Sequence, residues 1–178
     1  MDHMWAAWRM AYIAGLKGKV TGCLFCLLRQ KKASPKSLIL LHGTHTFLML
    51  NAFPYNCGHL MVVPRRHVGG TAHLTDEESL EFLQMTARGE TALRTAYKPH
   101  GLNMGINLGR TSGAGVVGHI HMHIVPRWNG DTNFMPVVGG TKVLPEGLDT
   151  TYARLREALA GDAPARRPRS RARARARR

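Results

Sequence analysis

The sequence predicts an α+β domain: an antiparallel β-sheet, one main helix and short helices towards the two ends. Three observations predict it. Short apolar runs bounded by turn residues recur at 37–41, 46–50, 59–64, 101–108 and 119–125. One longer segment opens with a helix-start pattern at Thr75 and Glu78. No strand–helix–strand unit repeats, which argues against a doubly wound parallel sheet.

Each element has its own warrant. In residues 1–20, Trp5, Trp8, Met10, Tyr12 and Ile13 predict a short helix or docked arm. Residues 37–41 and 46–50 read as two strands of a hairpin, with His42 and His45 as turn residues around Gly43. Residues 51–58 are a polar connection interrupted by proline, and the strand 59–64 ends at Pro64. Thr75 caps the main helix, Glu78 closes the capping box, and Leu80, Leu83, Ala87 and Leu93 lie near helical spacing. That helix should run to about Ala96 and stop before Pro99. A strand over 101–108, a flexible turn over 109–118 and the strand 119–125 follow, then a short helix near Leu155 to Leu159.

The strand His119-Ile120-His121-Met122-His123-Ile124-Val125 carries the chemistry. Alternate residues of a strand share a face, so three imidazoles stand on one side while Ile120, Met122 and Ile124 anchor the other. Imidazole exchanges protons near neutral pH, attacks as a nucleophile or binds a metal. This pattern points to a catalytic or metal site over a solvated polar strand.

Charge and cysteine usage bound the partners. The chain of 178 residues is 44% hydrophobic and carries a net charge of +14. Residues 163–178 hold 8 arginines and no acid, so the remainder carries 14 − 8 = +6. The division expected is a catalytic domain over 1–160 and a disordered tail over 161–178. The arginines from Arg166 to Arg178 either contact nucleic acid or another acidic surface, or only solubilise the chain; no aromatic residue interleaves them to stack on bases. The 3 cysteines do not make a disulfide scaffold. No stretch is long and apolar enough to span a bilayer, no secretory signal opens the chain, and the expected location is the cytoplasm.

Cys23-Leu24-Phe25-Cys26 has the spacing of a two-thiolate zinc knuckle, with His67 and His119 as the other two ligands of a structural Zn2+. A redox pair or plain thiols are the alternatives; no clear helix is expected after the pair, which disfavours the redox reading. Cys57 reads as a small buried side chain. The stretch from Gly109 to Gly115 is glycine-rich and offers backbone N–H groups to a phosphate, but lacks the Lys-Ser/Thr end of a P-loop. As a turn between strands it needs no ligand. Arg127 either meets a phosphate or faces solvent.

His119-x-His121-x-His123, running into Ile124-Val125-Pro126-Arg127, resembles the signature of the histidine triad family, whose members act on nucleoside phosphates. Residues 51–64 resemble that family's first conserved block, and 101–109 the segment leading into its active site. Residues 4–13 and 131–137 are similar to a narrower branch of small bacterial diadenosine tetraphosphate phosphorylases and hydrolases, the ATP adenylyltransferase-like proteins. The resemblance covers about residues 4–160 and excludes the tail.

The resemblance implies a HIT-like fold and a reaction at the α-phosphate of a dinucleoside polyphosphate. By it, His121 is the nucleophile that forms a covalent nucleotidyl–histidine. His123 contacts the phosphate or bridging oxygen, and His119 supports the site and ligates the metal. His59 stands near the phosphate pocket, and His67 is the third metal ligand. Asn51 holds a ribose or stands near the phosphate, and Asn107 lies close to the leaving group, with Asn103 on the same strand and parity. Phe47, Leu50 and Phe53 are candidate walls of an adenine pocket, or simply core. Many family members have a glutamine five positions before the first triad histidine; here it is Ala114, and Ser112 or the N–H groups of Gly113 and Gly115 stand in its place. That departure weighs against simple phosphoramidate hydrolysis. The alternatives are hydrolysis of small nucleotide conjugates, a low-turnover nucleotide- or nucleic-acid-binding protein, and a metalloenzyme with all three histidines on one zinc. The family also implies a homodimer through the main helix and a sheet edge, and any Mg2+ would arrive with the polyphosphate.

Overall fold

The structure, a computed structural model, describes residues 22–132, 138 and 143–161. The readings of 1–20, of most of the 131–137 motif and of the arginine tail lie outside the described residues.

Alternating apolar residues build the sheet. The strands β1 (Ile39–His42), β2 (Thr46–Leu50), β3 (Leu60–Pro64), β4 (Gly101–Ile106) and β5 (Met122–Arg127) form a 5-stranded sheet ordered β1-β2-β3-β5-β4. Every neighbouring pair is antiparallel. Three helices accompany it: α1 (Leu24–Leu28), α2 (Asp76–Tyr97) and α3 (Leu148–Gly161). The α+β architecture expected from the sequence is thus the one observed. Among the described residues, no helix is long and apolar enough to cross a membrane.

Period-two alternation splits the sheet into two apolar faces. Leu48, Leu50, Leu60, Val62 and Ile124 meet Phe82, Met85, Ala92 and Leu93 of α2 and Tyr152, Leu155 and Leu159 of α3. On the opposite face Phe47, Met49, Met61 and Val63 pack with Ile39 and with Phe25 of α1. His123 pairs with Met61 across the β3–β5 ladder, so it stands on this second face.

The predicted capping box is present: the Glu78 N–H donates to Thr75 Oγ1 (3.3 Å) and the Thr75 N–H to the Glu78 carboxylate (3.0 Å). Helix α2 ends where Lys98 turns left-handed (φ 45°) before Pro99. Its buried face, however, corrects the expected one. Leu80 and Leu83 are 59% and 63% exposed and Ala87 is exposed; of the four expected residues only Leu93 enters the core. Phe82, Met85, Gly89 and Ala92 also lie at helical spacing, and this stripe faces the sheet. The small residue decides it: a Cβ on Gly89 would come within 2.9 Å of Ile124 Cδ1, so the helix crosses the sheet where a side chain is missing.

Strand and helix bounds also move, β4 ending at Ile106 and β1 running on to His42. Residues 119–121 bond to the chain beyond β3 rather than to the β3 ladder, through Ile120 N–H to the Val68 carbonyl (2.8 Å), so β5 begins at Met122. The terminal helix is longer than expected because Thr151 and Tyr152 continue its apolar face, with Tyr152 donating to the Ile39 carbonyl (3.0 Å). The cysteine pair does sit on a helix: Cys23 is the N-cap of α1 and Cys26 lies within it.

Candidate functional site

The histidine stretch is held by bonds that fix which ring nitrogen carries the proton. His121 Nδ1 lies 3.0 Å from the His119 carbonyl, which only accepts, so Nδ1 is the N–H and the lone pair is left on Nε2. His121 is 3% exposed. Burial holds its imidazole below the usual histidine value, against the opposing pull of the His119 carbonyl. The ring therefore rests neutral, the form that attacks.

A second chain fixes His123. The Tyr55 N–H donates to His59 Nδ1 (3.1 Å), and the Asn51 amide nitrogen approaches the same atom (3.4 Å). In neutral His59 the proton is then on Nε2, which stands 2.9 Å from His123 Nδ1. His123 thus accepts at Nδ1 and carries its own proton on Nε2. The His121 and His123 rings lie 4.8 Å apart, nearly perpendicular at 74°. An N–H beside a lone pair can donate a hydrogen bond to a leaving oxygen while its neighbour attacks.

Two cavities meet at this pair. The larger, about 550 Å³, is lined by Phe25 and Leu28 of α1, Met49 and Met61 of the sheet, Phe53, and His121 and His123. Its volume and apolar walls suit a small organic ligand. The smaller, about 360 Å³, lies towards the β4 edge and is lined by Asn56, Asn103, Gly105, Asn107 and Arg127. His123 and Tyr55 line both.

Behind His121 lies a metal-ligating cluster. His119 Nε2 donates to the Pro64 carbonyl (2.8 Å), leaving the Nδ1 lone pair 3.2 Å from Cys23 Sγ and 3.7 Å from Cys26 Sγ. His67 Nδ1 stands 3.4 Å from Cys26 Sγ. All four ligand atoms fall within 4.8 Å of one another. Tetrahedral bonds of zinc length give edges of roughly 3.4–3.8 Å, so the cluster fits such an ion. Burial and the neighbouring Cys23 hold the Cys26 thiol above its ordinary value.

Comparison with known proteins decides the family. Residues 32–130 match the HIT domain. The chain is 36% identical over 157 residues to a Mycobacterium tuberculosis protein named AP-4-A phosphorylase, covering 85% of this chain and 80% of that one. The protein belongs to the histidine triad (HIT) family. Among solved structures it is similar to a Zn-bound histidine triad family protein from Mycobacterium smegmatis (TM-score 0.64, 26% identity, 79% of this chain and 94% of that one). A HIT family member from Bacillus subtilis is also similar (TM-score 0.54, 28% identity, 61% of this chain and 75% of that one). As a HIT-domain enzyme, its general chemistry is histidine-mediated nucleotidyl transfer or hydrolysis.

The HIT residues singled out in the sequence fall into three places. His119, Cys23, Cys26 and His67 gather in one cluster of side chains that could hold a metal ion. Asn51 and Gly113 line the larger cavity, with the Asn51 side-chain oxygen accepting the Phe53 N–H (2.9 Å). Asn107 and Asn103 line the smaller one. Ser112 turns its hydroxyl to the Gly109 carbonyl (2.8 Å), and the Gly113 N–H donates to the Arg110 carbonyl (3.2 Å), so both serve the turn. Of the candidate base-pocket residues, Phe53 lines the larger cavity, while Phe47 and Leu50 belong to the core. Arg127 is neither free for phosphate nor simply solvated: it is ion-paired to Asp131 and donates to Asn103 Oδ1 (2.8 Å). Its four-residue spacing around the Asn129-Gly130 turn was the available signal. Cys57 is buried, as expected.

Two functional residues escaped the sequence reading. Phe25 is more than a spacer in the cysteine pair: its ring is 5.0 Å from His121 and 5.3 Å from His119. Tyr55 packs on His59 (4.6 Å) and stacks near His123 (5.9 Å). Neither position carries a local pattern that marks it.

Proposed function

We propose that this HIT enzyme cleaves dinucleoside polyphosphates of the diadenosine tetraphosphate type at an α-phosphate, through a nucleotidyl–His121 intermediate. The observation that carries the reading is the His121 Nδ1 bond to the His119 carbonyl, which aims a neutral Nε2 lone pair as the nucleophile. In the first step His121 Nε2 bonds to the α-phosphorus and the bond to the leaving nucleotide oxygen breaks. The His123 Nε2–H donates a hydrogen bond to that oxygen and stabilises the charge it carries away. In the second step phosphate or water attacks the phosphorus and releases the imidazole. Asn51 and Gly113 face the nucleoside end, Asn107 the leaving side, and His59 orients His123. The chain's 36% identity to a protein named AP-4-A phosphorylase supports phosphate as the acceptor.

Cys23, Cys26, His67 and His119 hold a structural Zn2+ in this reading. With these four side chains as ligands, such an ion would fix His119 in place. A homodimer forms through α2 and the β4 edge; exposed Leu80 and Leu83 and the edge position of β4 support it. The enzyme works in the cytoplasm as a domain over 1–160, Mg2+ arrives with the substrate, and the tail from Arg166 to Arg178 is an accessory that nucleic acid can occupy.

The test is incubation with diadenosine tetraphosphate, with and without inorganic phosphate, followed by product separation. ADP plus ATP appearing only with phosphate is the expected result, abolished by His121→Ala. AMP plus ATP without phosphate would make it a hydrolase instead. No His121-dependent product would reject the substrate.

A further inference from the structure

The smaller cavity is chemically unlike the larger one, and it begins where the reaction's leaving group departs. On one side of His123 lies the apolar chamber that also holds His121. On the other, the ladder continues to the sheet edge, with Gly105 directly opposite His123 and Asn103 opposite Val125. Antiparallel partners share a face, so Asn103 and the position Gly105 leaves vacant stand beside His123. A Cβ on Gly105 would meet nothing within 4 Å. The missing side chain therefore serves no tight backbone approach; it leaves the floor of the cavity open.

The walls specify the ligand. Asn56 and Asn103 are amides: Asn56 gives both amide hydrogens to the protein and offers its oxygen, while Asn103 accepts from Arg127 at its oxygen and offers its NH2. Asn56 is 8% exposed and is fixed by the Pro126 carbonyl (3.0 Å) and the Asp131 carboxylate (2.9 Å). Arg127, the cation at this wall, is neutralised by Asp131. A chamber built to grip bare polyphosphate would present uncompensated cations; among the described residues this one presents amides, a neutral ion pair, His123 and the Tyr55 ring. About 360 Å³ falls in the range of small-ligand sites.

We propose that this second cavity is a specificity site for the distal nucleoside of the leaving nucleotide. The inference rests on the proposed cleavage of a dinucleotide. The attacked nucleoside occupies the apolar chamber, the phosphate chain passes His123, and the second nucleoside settles over Gly105 against Asn103. The enzyme thereby distinguishes a dinucleotide from a mononucleoside polyphosphate by binding, apart from the chemistry at His121.

The experiment uses the full chain carrying His121→Ala, so that nothing turns over. Calorimetry measures its affinity for diadenosine tetraphosphate and for adenosine 5′-tetraphosphate, which lacks only the distal nucleoside. The dinucleotide is expected to bind about tenfold tighter or more, and Gly105→Val, which fills the floor, should bring the ratio close to one. Asn103→Leu is a second variant, expected to lower the same ratio. Equal affinities before substitution would show that only the phosphate chain is recognised and would overturn the proposal. So would a ratio that survives Gly105→Val, or a parallel loss of both affinities. Absence of turnover in the wild-type protein would defeat the proposed reaction, whereas the binding ratio, measured without turnover, decides the nucleoside site independently.

Discussion

A buried imidazole needs partners for both ring nitrogens, and His59 finds them in the Tyr55 N–H and in His123 Nδ1. Its sequence position gave no geometric hint of this; only the family resemblance placed it near the site. The triad itself was legible, because a period of two puts alternate histidines on one face whatever the fold. Tyr55 was not, because its role depends on a loop closing over a strand 64 residues away in sequence, the separation of His59 from His123. If His59 fixes the His123 proton on Nε2, His59→Phe keeps a ring in place and removes the relay. We expect kcat to fall on the order of 10²-fold, the scale of one hydrogen-bond donor to a developing negative charge, with KM nearly constant. Steady-state kinetics reads the split; an unchanged kcat would show that His123 needs no orientation from behind.

The start of α2 shows what local pattern can and cannot supply. The Thr75–Glu78 box is local, three residues apart, and was legible. The helix face was not, since two stripes satisfy the same period and only the sheet's approach at Gly89 selects between them. Glu78 gains a further partner, Arg66, which donates through two nitrogens (2.8 and 2.7 Å). Those bonds hold the Glu78 carboxyl at about 2, below its ordinary 4.5. Above pH 4.5 the carboxylate is ionised in folded and unfolded chain alike, and the full stabilisation is present. As pH falls from there towards about 2, the unfolded chain takes up the proton first and that stability is lost. Glu78→Gln should therefore lower Tm at pH 7 and flatten its decline between pH 5 and pH 2, values set by the same shift. Thermal melts across that range check it; parallel curves for the two proteins would mean the cap carries no acid sensitivity.

At the scale of the molecule, the cysteine–histidine cluster joins segments that the sheet alone does not join. It ties α1 to His67 beyond β3 and to His119 before β5, with 96 residues between Cys23 and His119. Spacing alone marked the two cysteines; His119 was marked by opening the histidine stretch, and His67 only by following the turn after Pro64 and by the family resemblance. The same cluster orders His121, the proposed nucleophile, since His119 gives a ring nitrogen to the thiols and its carbonyl to His121. Phe25, between the cysteines, touches the His119 and His121 rings. Closing a loop of this length contributes several kcal/mol in the chain-entropy account, which for a chain of this size is roughly 10 °C in Tm. The purified protein should hold about one zinc per chain, set by the four ligands. Chelation should lower Tm by that order, and Cys23→Ser should lose both the metal and the increment. Elemental analysis and melting with and without chelator decide it. A metal-free protein whose melting ignores the chelator would leave the four side chains as a hydrogen-bonded cluster, with His121 ordered by the His119 carbonyl alone.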